Sequence, residues 1–178
     1  MKQVFVATIV LCLSVISPVT RARYRPLSFV ELSTRAELVV LGTVASTTDE
    51  TFTLEVERTV RSRRGVPSMA KGERLQIVKF QNWTCARRWT EYAAGQKAVM
   101  FLERRSGDWH VLGGGNEGEM PVVDDWVFVS APGSGFGEWT VYNARYFGGR
   151  FTLQDVLKAA VARKPLRGHV DGALPARR

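Results

Sequence analysis

The chain has 178 residues, a formal net charge of +8 and 45% hydrophobic residues. That is enough apolar side chain for one real core, and no stretch beyond the first sixteen residues is apolar enough to span a bilayer. Two cysteines and two histidines exclude a disulfide-dense scaffold and leave few donors for a zinc site.

Taken in chain order, Lys2, the apolar run from Val4 to Ile16 and the small residues Thr20 and Ala22 have the three-part layout of a secretory signal peptide. The rival, an uncleaved anchor, needs about 20 apolar residues, and this run breaks at Ser17-Pro18. Cys12 follows the bulky Leu11 inside the apolar run, the wrong setting for lipid attachment. Residues 1–22 are therefore expected to be a signal, with the mature protein periplasmic or extracellular and without a transmembrane segment. Lys2 and Arg21 leave with it and no acid does, so the charge falls from +8 to +6. Cys85 is then alone, and the fold is expected to hold by packing rather than disulfides. An intermolecular disulfide is one use for this thiol.

A short helix opens the mature domain. Ser28 and Glu31 have the spacing of a capping box, with Leu27 and Leu32 placed as a hydrophobic staple. Glu37 to Val44 is an apolar, β-branched run expected to be a central strand. From Thr51 to Arg61 the odd positions are all polar, whereas Phe52, Leu54, Val56 and Val60 occupy even ones. Such alternation puts one face in the core and one in water. Arg58 is the even-numbered exception and marks a place for the strand to leave the core. After the basic loop Arg61 to Pro67, strands are expected at Glu73 to Phe80 and Gln96 to Arg104. Ser106-Gly-Asp108 turns into a fifth at Trp109 to Leu112. A glycine-rich connection leads to Val122 to Ser130, interrupted by Asp124-Asp125, which reads as a polar bulge. Ala131 to Gly137 is a loop, and Trp139 to Asn143 a further short strand. A second helix runs from about Thr152 to Arg163, capped by Thr152 with Asp155, stapled by Phe151 and Val156, and ended by Pro165. Its apolar stripe is Val156, Leu157, Ala160 and Val161. The tail from residue 165 to 178 is basic and expected to be disordered.

Short antiparallel strands with one wet face hide their edges by closing. The fold class is therefore mainly β, a small OB-like antiparallel barrel with a helix at each end, forming one domain over residues 23–164. The stretch Phe29 to Val44, with its short helix, Ala36-Glu37 pair and Val39-Val-Leu-Gly-Thr-Val44, resembles the opening of bacterial exported domains related to the tissue-inhibitor-of-metalloproteinase and netrin module. Thr53 to Val60, Gly72 to Val78, Ala94 to Leu102 and Gly118-Glu-Met-Pro-Val122 are similar to its later segments in order. The resemblance spans Ser28 to Ser130 and implies the same OB-like barrel. Inhibitors of that family chelate a target zinc through an N-terminal cysteine. The mature chain here would begin near Arg23-Tyr24-Arg25-Pro26, so inhibition by that route does not follow. A protease-inhibitor-like domain without the chelating cysteine is left as an alternative.

Candidate chemistry is sparse. Arg87 and Arg88 would favour a Cys85 thiolate, and His110 would be its base in a thiol-dependent hydrolase or redox protein. No nucleophile motif surrounds Cys85 and no third group orients His110. Gly113-Gly-Gly-Asn-Glu-Gly118 matches the dinucleotide-binding string, but Met120-Pro121 and a strand follow where the phosphate-holding helix must start. His110, His169 and Asp124-Asp125 do not form a metal set, and no cofactor is expected. Asn82-Trp-Thr84 is a glycosylation sequon with no expected use in a bacterial source.

Basic residues are more suggestive. Arg61, Arg63, Arg64, Lys71 and Arg74 surround one loop, and Arg87, Arg88, Arg104 and Arg105 lie at other strand ends, with Trp83 and Trp89 near in sequence. OB-type barrels bind extended ligands on one face through cations and aromatic rings. Arg63, Arg64, Trp83, Arg87, Arg88 and Trp89 are accordingly the candidate ligand-binding residues, and Cys85 the candidate reactive thiol. The expected function is that of an exported, non-enzymatic binding module for a protein partner, an envelope polyanion or a glycan. Nucleic acid is a poor candidate for an exported protein.

Overall fold

The structure, a computed structural model, describes residues 27–81, 88, 90–113, 117–130 and 147–166. Helix α1 (Phe29–Arg35) is followed by strands β1 (Leu38–Thr47), β2 (Thr51–Ser62), β3 (Arg74–Val78), β4 (Lys97–Arg105), β5 (Asp108–Val111), β6 (Glu119–Val123), β7 (Trp126–Ser130) and β8 (Phe147–Thr152), then helix α2 (Leu153–Ala162). The sheet runs β1-β2-β3-β5-β4 and closes through β1 against β4. Every contact in this five-stranded ring is antiparallel except β3 with β5. The expected OB-like barrel is what the chain forms. Among the described residues no helix is long and apolar enough to cross a membrane.

Both helix starts follow the sequence. Ser28 Oγ accepts from the Glu31 amide, and the Glu31 carboxylate accepts from the Ser28 amide at 2.8 Å. Thr152 accepts from the Asp155 amide, and α2 ends on Arg163 at φ 53°, in the left-handed region. At the other end of α1, the Arg61 guanidinium donates to the carbonyls of Ser33 (2.6 Å) and Ala36 (2.7 Å). It thereby satisfies orphan acceptors at a helix C-terminus, where a cation is also favoured by the helix dipole.

Two cores lie back to back. Leu38, Val40, Phe52, Leu54, Val56, Ile77, Ala98, Met100 and Leu102 fill the barrel. Val39, Leu41, Val99 and Phe101 point outward into a second cluster with Leu32, Met120, Val127, Val156, Leu157 and Ala160. Strands β1 and β4 are thus buried on both faces, which is why their sequences are continuous apolar runs rather than alternating ones. On β2 the alternation holds through Val56. The β1–β2 register then slips where two residues of β2 face one of β1, around Glu57 and again around Val60. Bulges of this kind coil a strand pair and re-aim the side chains beyond them. Arg58 emerges exposed, and Val60 packs against the outer cluster instead of the barrel.

Of two hairpin turns, one differs from the sequence expectation and the other follows it. Asp124 and Asp125 are no bulge within one strand. They are the two-residue turn between β6 and β7, with φ of 48° and 64°. Ser106 and Gly107 form the matching turn between β4 and β5, with φ of 53° and 100°. Two positive φ values are the geometry that suits tight hairpins, and Asp tolerates it. Strand β8, Phe-Gly-Gly-Arg-Phe-Thr, was not expected from sequence because its glycines carry little strand propensity. It pairs with β7. Ala131 to Gly137, Trp139 to Asn143, residues 1–22 expected to be a signal, and the tail beyond Leu166 lie outside the described residues.

β5 and β6 share one edge of β4, against residues 102–105 and 98–100 respectively. The glycine string is the excursion between them. Its neck is tight: a Cβ on Gly118 would sit 2.1 Å from the Leu112 carbonyl oxygen. The buried Glu117 carboxylate beside it accepts from the Leu27 amide at 2.9 Å, tying the start of α1 to the barrel. The string thus opens onto a strand, as its sequence context implied, and not onto a phosphate-binding helix.

At Gly42, β1 passes β2 with no room for a side chain. A Cβ there would meet the Glu55 carbonyl oxygen at 2.6 Å and Leu54 Cγ at 2.8 Å. Gly42→Ala should therefore lower stability by about 1–3 kcal/mol, as overpacking does, read as a lower urea midpoint with an unchanged slope. At the partly exposed Glu57–Lys97 pair (2.6 Å) the balance is gentler. Burial works to raise the Glu57 pKa, but hydrogen bonds from Lys97 and Thr43 outweigh it and hold the carboxyl below its ordinary value. Its stabilisation is present at neutral pH and lost as pH falls through the lowered value. Glu57→Gln should cost no more than about 1 kcal/mol at pH 7, with the difference from wild type vanishing in acid.

Candidate functional site

Of the predicted binding residues, the structure describes Arg63, Arg64 and Arg88. Arg63 and Arg64 stand exposed in the loop after β2. Trp83, Cys85, Arg87 and Trp89 lie outside the described residues. Arg88 requires a correction: it is 5% exposed and belongs to the interior. His110 is half-buried on β5, opposite Glu103 of β4 and beside Val78 of β3. Among the described residues no group of three or more His, Cys, Asp or Glu side chains is placed to hold a metal ion.

Arg88 plugs one end of the barrel. Its Nε donates to Glu119 Oε2 at 2.9 Å and its Nη2 to Glu119 Oε1, a two-pronged pair with side chains 2% and 0% exposed. It also donates to Gln96 Oε1 at 2.9 Å and to the Thr90 carbonyl. The guanidinium lies 3.7 Å from the centroid of the Tyr92 ring, which also stacks on Phe52 (centroids 4.4 Å apart, 19°) and has Lys79 Nζ 5.8 Å from its centroid. Burial, and then the Glu119 charge, push the Tyr92 phenol well above its ordinary range. Every polar group here is engaged by another, so the cluster is built to close the barrel. Sequence could not show this, because Glu119 lies 31 positions from Arg88.

A different surface has the shape of a site. Between the second half of β2 and helix α2 lies a groove of about 690 Å³, within the range typical of ligand pockets. Val60, Leu153 and Leu157 give it an apolar floor. Arg58, Lys158 and Val161 stand exposed at its rim, and Asp125 lies at the end near the N-terminus of α2. Val161 is 56% exposed, the most exposed large hydrophobic residue among those described. The helical stripe predicted it to be core. The stripe instead divides, with Val156, Leu157 and Ala160 buried and Val161 left on the groove.

Arg163, just past the C-terminal end of α2, lies near Arg61 and Arg63 of β2 and its loop. Arg61, already partly buried, has its guanidinium pKa lowered first by desolvation and then by the nearby charges of Arg163 and Arg63. Residues 58–63 and 158–163 are remote in sequence, and the packing of α2 across β2 brings them side by side. Arg58, whose departure from alternation was visible in the sequence, and the position of Lys158 on the outer face of α2 were the only local signals for this surface.

Searches with known family models match nothing in this chain, and no curated protein sequence matches it.

The barrel-end cluster gives two predictions. Glu119→Gln leaves a buried guanidinium without its carboxylate and should cost about 3–5 kcal/mol, much of it recovered when Arg88→Met is added. Denaturant titrations of the single and double variants check this. Because the Tyr92 pKa is raised in the fold, its stabilisation is complete below pH 10 and is lost as pH rises through the window above that value. Tyr92→Phe should flatten the alkaline limb of the stability–pH curve.

Proposed function

We propose that this protein is an exported, non-enzymatic binding module that uses its OB-like barrel as a scaffold and takes an anionic ligand at the groove between β2 and α2. The single observation that carries this reading is the convergence of Arg58 and Lys158 over an apolar floor. Exposed Val161 shares the groove with Val60, Leu153 and Leu157, so the apolar surface is contiguous rather than a single residue, the kind of patch that marks a binding surface. The basic balance of the whole chain supports the sign of the ligand, since a net positive field steers anions toward it. The signal-like first 22 residues support export. The order of elements that resembles the metalloproteinase-inhibitor and netrin module supports an interaction role over an enzymatic one.

Retention on immobilised heparin, a soluble stand-in for an anionic ligand, tests the face. The double variant Arg58→Glu/Lys158→Glu should elute at clearly lower salt than Lys71→Glu/Arg74→Glu, which changes net charge equally at residues that do not line the groove. Equal shifts in the two variants would remove the groove as the contact face. Cys85→Ser should leave binding unchanged. A turnover that this substitution abolishes in a folded protein would replace the binding reading with thiol chemistry.

A further inference from the structure

We infer that the occupant of the β2–α2 groove is a peptide segment of a partner protein that combines apolar anchors with acidic residues, a deepening that rests on the groove being the binding face. Three features of the groove favour this ligand over other anionic ones.

First, the groove is floored but not roofed. Val60, Leu153 and Leu157 form the floor, yet Val161 at the rim is 56% exposed and Arg58 and Lys158 stand in water. An alkyl chain lying there would keep one flank wet and forfeit much of the gain of burial. A peptide loses less, because it sets two or three apolar side chains on the floor and leaves its backbone and polar side chains facing solvent.

Second, no aromatic ring is among the described residues lining the groove. Sugar rings and bases are held mainly by stacking on such faces. A glycan or nucleic acid would find cations here but no platform, and a uniformly charged polymer would gain nothing from the apolar floor.

Third, the charges are graded along the groove. Asp125 marks the end near the N-terminus of α2, and Arg58 and Lys158 flank the floor. Complementarity places the peptide's carboxylates against Arg58 and Lys158, away from Asp125, and its apolar anchors over Leu153 and Leu157. Rim charges of this kind set orientation and association rate, and the apolar anchors set residence time.

The test uses the full chain and a phage-displayed dodecapeptide library, followed by fluorescence anisotropy with synthetic copies of the enriched peptides. Enriched sequences should combine Asp or Glu with Leu, Ile, Val or Phe. Their affinity should fall at least about tenfold in Arg58→Glu/Lys158→Glu and in Val161→Asp, and hold in Lys71→Glu/Arg74→Glu. All of these positions are exposed, and circular dichroism of each variant checks that it folds. Enrichment of peptides without acids, affinities indifferent to the groove substitutions, or no enrichment would each overturn the inference. If heparin retention still depends on Arg58 and Lys158 in that case, the binding face stands and only the peptide ligand falls. Displacement of an anionic fluorescent fatty-acid probe that Val161→Asp abolishes, without peptide enrichment, would assign the groove to an amphiphile instead.

Discussion

Strands β1 and β4 lie side by side with Leu38, Val40, Ala98, Met100 and Leu102 turned into the barrel and Val39, Leu41, Val99 and Phe101 turned out of it. Each outward side chain of this size is worth about 1.5–3 kcal/mol buried rather than exposed. A bare five-stranded barrel would leave that surface in water. The remaining elements follow from the need to cover it: α1 brings Leu32 and Phe29, the latter edge-on to Phe101 with centroids 5.6 Å apart. The β6–β7–β8 sheet brings Met120, Val122 and Val127, and α2 brings Val156, Leu157 and Ala160. The second core is thus integral to the domain.

Covering the outer face also creates the groove. Helix α2 must lie low enough to bury Val156 and Ala160, and β2 turns toward it only after its bulges near Glu57 and Val60. Between a helix fixed by one core and a strand released from the other, a trough is left, and Val161 lies on its open side. The fold and the proposed binding face therefore have a common origin. The barrel interior has no part in that face. Its end is sealed by Arg88, Glu119, Tyr92 and Gln96, whose polar atoms are spent on one another. A buried ion pair in a low-dielectric setting is costly to form and more costly to break, which suits a plug better than a recognition element.

Local signals in the sequence were strong wherever local chemistry decides the structure. The capping box at Ser28 and Glu31, the cap at Thr152, the alternation from Phe52 to Val56 and the hairpin at Ser106-Gly107 all depend on residues within a few positions of each other. Arginines were misleading for the opposite reason. Arg61, Arg63, Arg88 and Arg104 look alike in a sequence, yet Arg61 closes a helix end, Arg88 fills a barrel end and Arg104 lies 4.7 Å from the centroid of the Trp109 ring. Each role is assigned by a partner 5 to 31 positions away. Val161 was misread similarly, since helical periodicity counts apolar positions but does not say which neighbour is missing.

What the sequence by itself determined is the class of the domain: a mainly β barrel with short flanking helices, its two doubly buried strands visible as unbroken apolar runs. Propensity, capping and period-two patterning are short-range and survive in one dimension. What only the tertiary structure decided is where charge meets apolar surface. Ring closure puts β1 against β4, bulges turn Arg58 outward, and α2 packs with Lys158 and Arg163 alongside residues 58–63. Those juxtapositions join segments roughly sixty positions apart for β1 with β4 and a hundred for β2 with α2, and no local pattern encodes which of several solvent-facing arginines will share a groove.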